Sequence, residues 1–176
     1  MKNLFILLLS FVSMTVFAHG PVPVNIEAST IKWTATKVTG EHYGSVQFKE
    51  AELDVQNGQL KGGSFTVDMN TIQDLDMEGE WKAKLEGHLR SDDFFSVATY
   101  PTASFVTTNV KSLGNGKYSV TGDMTIKGKT HPLTFEANLA NNTATATLKI
   151  DRTLYDVRYR STKFFDALGD KAIYDE

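Results

Sequence analysis

Gly114-Asn115-Gly116-Lys117-Tyr118-Ser119-Val120-Thr121-Gly122-Asp123-Met124-Thr125-Ile126-Lys127-Gly128 decides the fold. Tyr118, Val120, Gly122, Met124 and Ile126 fall on one side, opposite Lys117, Ser119, Thr121, Asp123, Thr125 and Lys127. That period of two belongs to a strand with one buried face. Gly114-Asn115-Gly116 supplies the left-handed backbone of a tight hairpin, so the preceding strand with Ala103 and Phe105 pairs with this one. Towards the C-terminus, Gly128-Lys129 turns into Leu133, Phe135, Ala137 and Leu139, and Asn141-Asn142 turns into Ala144, Ala146, Leu148 and Ile150. Arg152 to Tyr159 alternates once more through Tyr155, Val157 and Tyr159.

Towards the N-terminus the same rhythm returns. Pro21 and Pro23 mark an irregular lead, and Ile31, Trp33 and Ala35 then share one face of a strand. Gly40-Glu41-His42-Tyr43-Gly44 is expected to turn the chain into Val46 and Phe48. The phase slips before Leu53 and Val55, so a bulge is expected near Lys49-Glu50. Asn57-Gly58 then makes a hairpin into Phe65, Val67 and Met69. Between the two halves the period changes: Met77, Trp81, Leu85 and Leu89 are four apart and line one face of a short helix. Tyr100-Pro101 ends helical geometry. The whole is an all-β chain, an antiparallel up-and-down barrel of about eight strands with a short helical insertion. Its inward faces mix bulky Trp33, Phe65, Phe105 and Phe135 with small Ala35, Gly63, Ala144 and Ala146, which suits either a filled core or one small ligand.

Lys2, the apolar run from Leu4 to Val12 and Val16-Phe17-Ala18 read as a signal peptide over residues 1–18, leaving one domain over residues 19–176. A periplasmic or secreted location follows from that reading. The chain has no cysteine, which removes disulfides, thiolate nucleophiles and iron–sulfur clusters. The net charge of −3 becomes one unit more negative when Lys2 leaves, and both signs are interspersed. Nucleic acid is therefore not an expected partner.

Chemistry is sparse. Among His19, His42, His88 and His131, no two stand at metal-ligand spacing. Cleavage after Ala18 would put His19 at the amino terminus, where amine and imidazole could chelate Cu²⁺, or where the residue is simply a loose end. His88, beside Arg90, Asp92 and Asp93, has the residue types for acid–base work, but the absence of a nucleophile motif favours a ring that pins the helix end. Asp74-Leu75-Asp76 reads as carboxylates at the helix start. Arg152 meets either a carboxylate or an anionic lipid head. No catalytic residue and no enzyme activity are expected.

Several blocks together resemble the YceI-like family of exported, lipocalin-like proteins associated with polyisoprenoid binding. They are Trp33 with Gly40-Glu41-His42-Tyr43-Gly44, Leu85 through Phe95, Tyr100-Pro101-Thr102-Ala103-Ser104-Phe105, Gly122 through Gly128, Asp151-Arg152-Thr153, and Phe164-Phe165-Asp166 through Asp170. The resemblance implies a lipocalin-like barrel whose apolar interior takes an isoprenoid quinone or similar lipid, without cofactor or metal. Pattern and resemblance together nominate Trp33, Phe65, Met69, Phe94, Phe95, Phe105, Met124 and Phe135 as lining, with His88 and Arg152 as polar contacts to a head group. They also imply a soluble carrier or sequesterer that touches membranes transiently. The alternatives are an envelope stress or interaction protein with a filled barrel, and copper handling through His19. Members of the family usually continue past Asp175-Glu176 with another apolar strand. An open seam, beside a strand around Arg152 to Tyr159, is therefore expected.

Overall fold

The hairpins form where the sequence marks them. Asn57 and Gly58, Asn115 between Gly114 and Gly116, Lys127 and Gly128, and Asn141 and Asn142 all have positive φ, the backbone that two-residue turns require. A computed structural model describes residues 20–166 and 168–176. The signal-peptide segment and His19, with its copper reading, lie outside them.

Eight strands make one antiparallel sheet. They are β1 (Pro21–Pro23), β2 (Ile31–Lys37), β3 (Gly40–Gln56), β4 (Gln59–Asp74), β5 (Thr102–Gly114), β6 (Lys117–Ile126), β7 (Lys129–Ala140) and β8 (Thr143–Ala146), with one helix, α1 (Gly79–Arg90), between β4 and β5. From β2 to β8 each strand pairs with the next, the up-and-down order. On the edge away from β4, β3 serves two partners: β2 along its first part and β1 along its second. The prolines of β1 sit on an edge, where a missing N–H costs no ladder bond. The β3–β4 ladder slips between Phe48 and Glu50, the bulge expected at Lys49. It keeps Phe48 and Ala51 on the same side although they are three apart, so Leu53, Val55 and Phe65 all pack on one core.

The sheet is not closed: β8 pairs with β7, and no described strand joins β8 to β2. The open seam is therefore present, but its surroundings differ from the expectation. Arg152–Tyr155 is a 3₁₀ turn, not a strand. The Asp151 carboxylate accepts hydrogen bonds from the Thr153 amide at 3.0 Å and its hydroxyl at 2.5 Å, and Asp156 turns left-handed with φ 62°. Such a local side-chain bond competes with the ladder. Tyr155 and Val157 are buried because the segment folds over one end of the sheet. The chain returns to β2 only at its end, where Tyr174 N–H donates to Thr36 O at 3.0 Å.

Three other expectations need correction. The turn into β3 falls at residues 38–39; Gly40–Gly44 is already paired, with Trp33 opposite Gly44. The lead at Pro21 and Pro23 is a strand. α1 starts after Met77, and Trp81 in its first turn is 68% exposed under the Lys84 ammonium, whereas Leu85 and Leu89 reach the core. The helix overhangs the sheet by its first turn, so the spacing of four overstates the buried face.

Gly122 shows how tightly the inner face is packed. A Cβ there would stand 2.4 Å from both the Phe105 ring and the Val106 carbonyl oxygen. Gly122→Ala is expected to cost about 1–3 kcal/mol, because β5 must shift or Phe105 must leave its rotamer. Chemical denaturation measures it, and a change below about 0.5 kcal/mol would refute the contact as a constraint.

Candidate functional site

The inner face carries a lane of rings across the sheet. Phe48 on β3, Phe65 on β4, Phe105 on β5 and Phe135 on β7 follow one another at centroid distances of 5.9, 6.5 and 5.2 Å. The lane exists because each ring is an inward residue of its strand and the registers align them: Phe65 faces Phe105, and Phe105 faces Met124. Met69, Phe105 and Met124 are buried, while Trp33, Phe65, Leu133 and Phe135 are inward but only half-buried. All four pack against the core and keep part of their surface accessible. Trp33 turns its indole N–H to the Ser45 carbonyl at 3.3 Å, so its one polar atom is satisfied within the protein. Two shallow hollows of about 340 and 320 Å³ lie elsewhere, one along β3 and β4 among Glu50, Glu52, Ser64 and Thr66, the other at the β7–β8 end.

The C-terminal end of α1 is aromatic and polar together. The His88 ring stands edge-on to Phe94 at 4.8 Å and to Tyr159 at 4.4 Å, and its Nε2 is 3.3 Å from Asp93. Phe94 and Phe95 are 6.3 Å apart and both pack against the core. α1 ends in a wrapped turn in which the amides of Phe95 and Val97 donate to the carbonyls of Leu89 and Arg90, and this turn sets both rings. The His88 ring thus packs across the end of α1, between Phe94 and Tyr159. Tyr159 is the partner that the sequence did not single out.

Arg152 lies apart from the lane, in the C-terminal segment. Its guanidinium donates to four carbonyls: Tyr174 at 3.1 Å, Val157 at 2.9 Å, and Tyr159 and Ile173 at 3.0 Å each. Asp175 lies 3.4 Å away. The carboxylate alternative is the one that the geometry supplies, and its N–H groups are spent on the fold.

A second cluster joins residues that the sequence kept apart. His42 Nδ1 is 2.9 Å from Asp76 Oδ2, and Lys37 Nζ is 3.1 Å from His42 Nε2. Asp74 is fully buried and stands with them. Asp76 Oδ1 accepts from the Tyr43 amide at 2.9 Å, and Asp74 Oδ1 accepts from the Met77 amide at 2.8 Å. These carboxylates therefore do not cap α1, whose N-cap Glu78 makes no side-chain bond; Asp76 ties the loop after β4 to β3, and Asp74 closes that loop on Met77. Burial, then the neighbouring Asp76, pushes the Asp74 carboxyl up. Burial works the same way on Asp76, but the Tyr43 amide and the His42 ring outweigh it and hold that carboxyl at about 2.

Residues 23–176 match a family model described as the YceI-like domain. A UPF0312 protein of Shewanella denitrificans is 39% identical over 89 residues, covering 51% of this chain and 44% of that protein. Protein YceI of Escherichia coli O157:H7 is 47% identical over 57 residues, covering 32% of this chain and 29% of that one. The match thus spans less than half of either relative. Among solved structures, Burkholderia cenocepacia BcnA superposes with a TM-score of 0.70 at 23% identity, covering 86% of this chain and 92% of BcnA. A Campylobacter jejuni YCEI protein gives a TM-score of 0.54 at 20% identity, covering 69% and 76%. At these identities the two structures show the fold.

Proposed function

The chain belongs to the YceI-like family, and on that premise we propose that it binds an apolar chain of the polyisoprenoid kind along the inner face of its open sheet, as carrier or sequesterer and without a chemical step. The observation that carries this reading is the open sheet with inward side chains that stay partly accessible: Trp33, Phe65, Leu133 and Phe135 pack against the core yet are only half-buried. Each methylene that such a surface removes from water contributes about 0.8 kcal/mol, so an isoprene unit gains roughly 3–4 kcal/mol before ordering costs. Firm binding then needs no dedicated polar contact. The one end where aromatic edges meet an imidazole, His88 with Phe94 and Tyr159, is the place for a polar head.

Mass spectrometry of an organic extract of the natively purified protein tests this. A polyprenyl lipid or quinone in near-stoichiometric amount is the expected result, and an extract free of such lipid defeats the reading. Phe94→Ala and Phe95→Ala are expected to lower the lipid retained through purification several-fold, because they remove the rings beside the proposed head-group end. Unchanged retention in both would remove that end from the site.

A further inference from the structure

We propose that His42, Asp74 and Asp76 form a site for a divalent transition-metal ion of the borderline class, with Zn²⁺ as the reference ion. One ligand atom of each residue lies within 4.8 Å of the other two, so small rotations bring an imidazole nitrogen and two carboxylate oxygens onto one ion. An imidazole with two carboxylates carries two negative charges, which a divalent ion balances. Three protein ligands also leave a coordination position for water.

The supports around the cluster favour an ion over a purely structural tie. Each carboxylate is anchored through one oxygen by a backbone amide and turns the other into the cluster, Asp76 Oδ2 towards His42 Nδ1 and Asp74 Oδ2 without a partner. The Tyr43 amide holds Asp76 Oδ1 and the Met77 amide holds Asp74 Oδ1. Asp74 Oδ2 is buried and has no hydrogen-bond partner, a state that costs about 1–3 kcal/mol unless something completes it. The cluster is open to an incoming ion, since the His42 and Asp76 side chains are 24% and 18% exposed. Such outer support, which fixes carboxylates through their second oxygen, is a regular feature of metal sites.

Lys37 gives the proposal a distinctive consequence. As an ammonium it can only donate, so His42 Nε2 accepts from it and Nδ1 carries the hydrogen shared with Asp76. An ion at Nδ1 displaces that hydrogen, and the neutral ring then carries its hydrogen on Nε2, facing the ammonium. Lys37 thus opposes the ion, although it supports the metal-free arrangement.

Equilibrium dialysis of the secreted chain against Zn²⁺ alone tests the site, in a His19→Ser background that removes any amino-terminal chelate. One ion per chain is expected. His42→Ala and Asp76→Asn should each weaken binding by at least about tenfold. Lys37→Ala should tighten it, an effect that a merely structural tie cannot produce. Asp74→Asn changes a buried group and is checked first for folding; should it fail, His42→Ala and Asp76→Asn decide. Binding that vanishes with His19→Ser, or that survives His42→Ala unchanged, overturns the proposal. So does a preference for Mg²⁺ over Zn²⁺. The lipid content of the protein plays no part in this result.

Discussion

Arg152→Ala is expected to lower stability by about 3–5 kcal/mol, the range for breaking a buried, fully bonded charge, and to lower Tm by roughly 10 °C in a chain of this size. The loss is large because the guanidinium organises the segment after β8. It joins carbonyls at both ends of that segment, Val157 and Tyr159 with Ile173 and Tyr174, and it pairs with Asp175. Without it those carbonyls face a buried space, and the segment that places Tyr159 against His88 loses its frame. Arg152→Lys should recover little, since an ammonium cannot span acceptors on two sides as a planar fork does. A thermal scan showing Tm within about 2 °C of the parent would contradict this account. Acid reaches the same latch through Asp151. Burial raises that carboxyl, but the Lys163 ammonium at 2.6 Å and the Thr153 donors prevail and hold it below the ordinary 3.8. The contribution is therefore complete above pH 4 or so and drains as the pH falls below the ordinary value. Lys163→Met should shift that acid transition upward.

Phe105→Ala should cost a further large amount, about 3–5 kcal/mol, because the ring is 5% exposed and a cavity replaces it. It is an inner ring of the lane, touching both Phe65 and Phe135, and its tip lies over Gly122. The pairing gives a sharper test than the single change. In the Phe105→Ala background, Gly122→Ala should cost less than it does alone, since one of its two obstacles has gone. The relief is partial, because the Val106 carbonyl still stands 2.4 Å from the new methyl group. A double-mutant cycle by denaturation measures the coupling, and additivity within about 0.3 kcal/mol would mean that ring and glycine do not constrain one another.

Much of this fold is legible in the sequence because it is local. Asn57-Gly58, Gly114-Asn115-Gly116 and Asn141-Asn142 state their hairpins outright, and the slip at Lys49 states its bulge. The residues around Arg152 misled for a physical reason. Tyr155 and Val157 repeat every second position whether the chain is extended or wound by an Asp-x-Thr turn, and period alone cannot separate the two. Prolines masked β1, since their presence argues against a strand until its edge position is known. Trp81 fitted the helical stripe, yet where a helix overhangs its sheet is set by the loop before it. The lining residues could be nominated from phase, but how much of Trp33 and Phe135 stays accessible depends on pairing across the whole sheet. His42 and Asp76 lie 34 residues apart and meet only through the β3–β4 pairing and the loop that follows. No motif announces them.

The gap between β8 and β2 bears on how the proposed apolar chain would be loaded. A long flexible molecule entering a sealed tube must thread in end first, and its passage slows with every added unit. A trough open along its flank takes the same molecule side-on, all units at once. Loading time should then be nearly independent of cargo length, while dwell time grows steeply with it. Such a protein would sort cargo by retention instead of by admission.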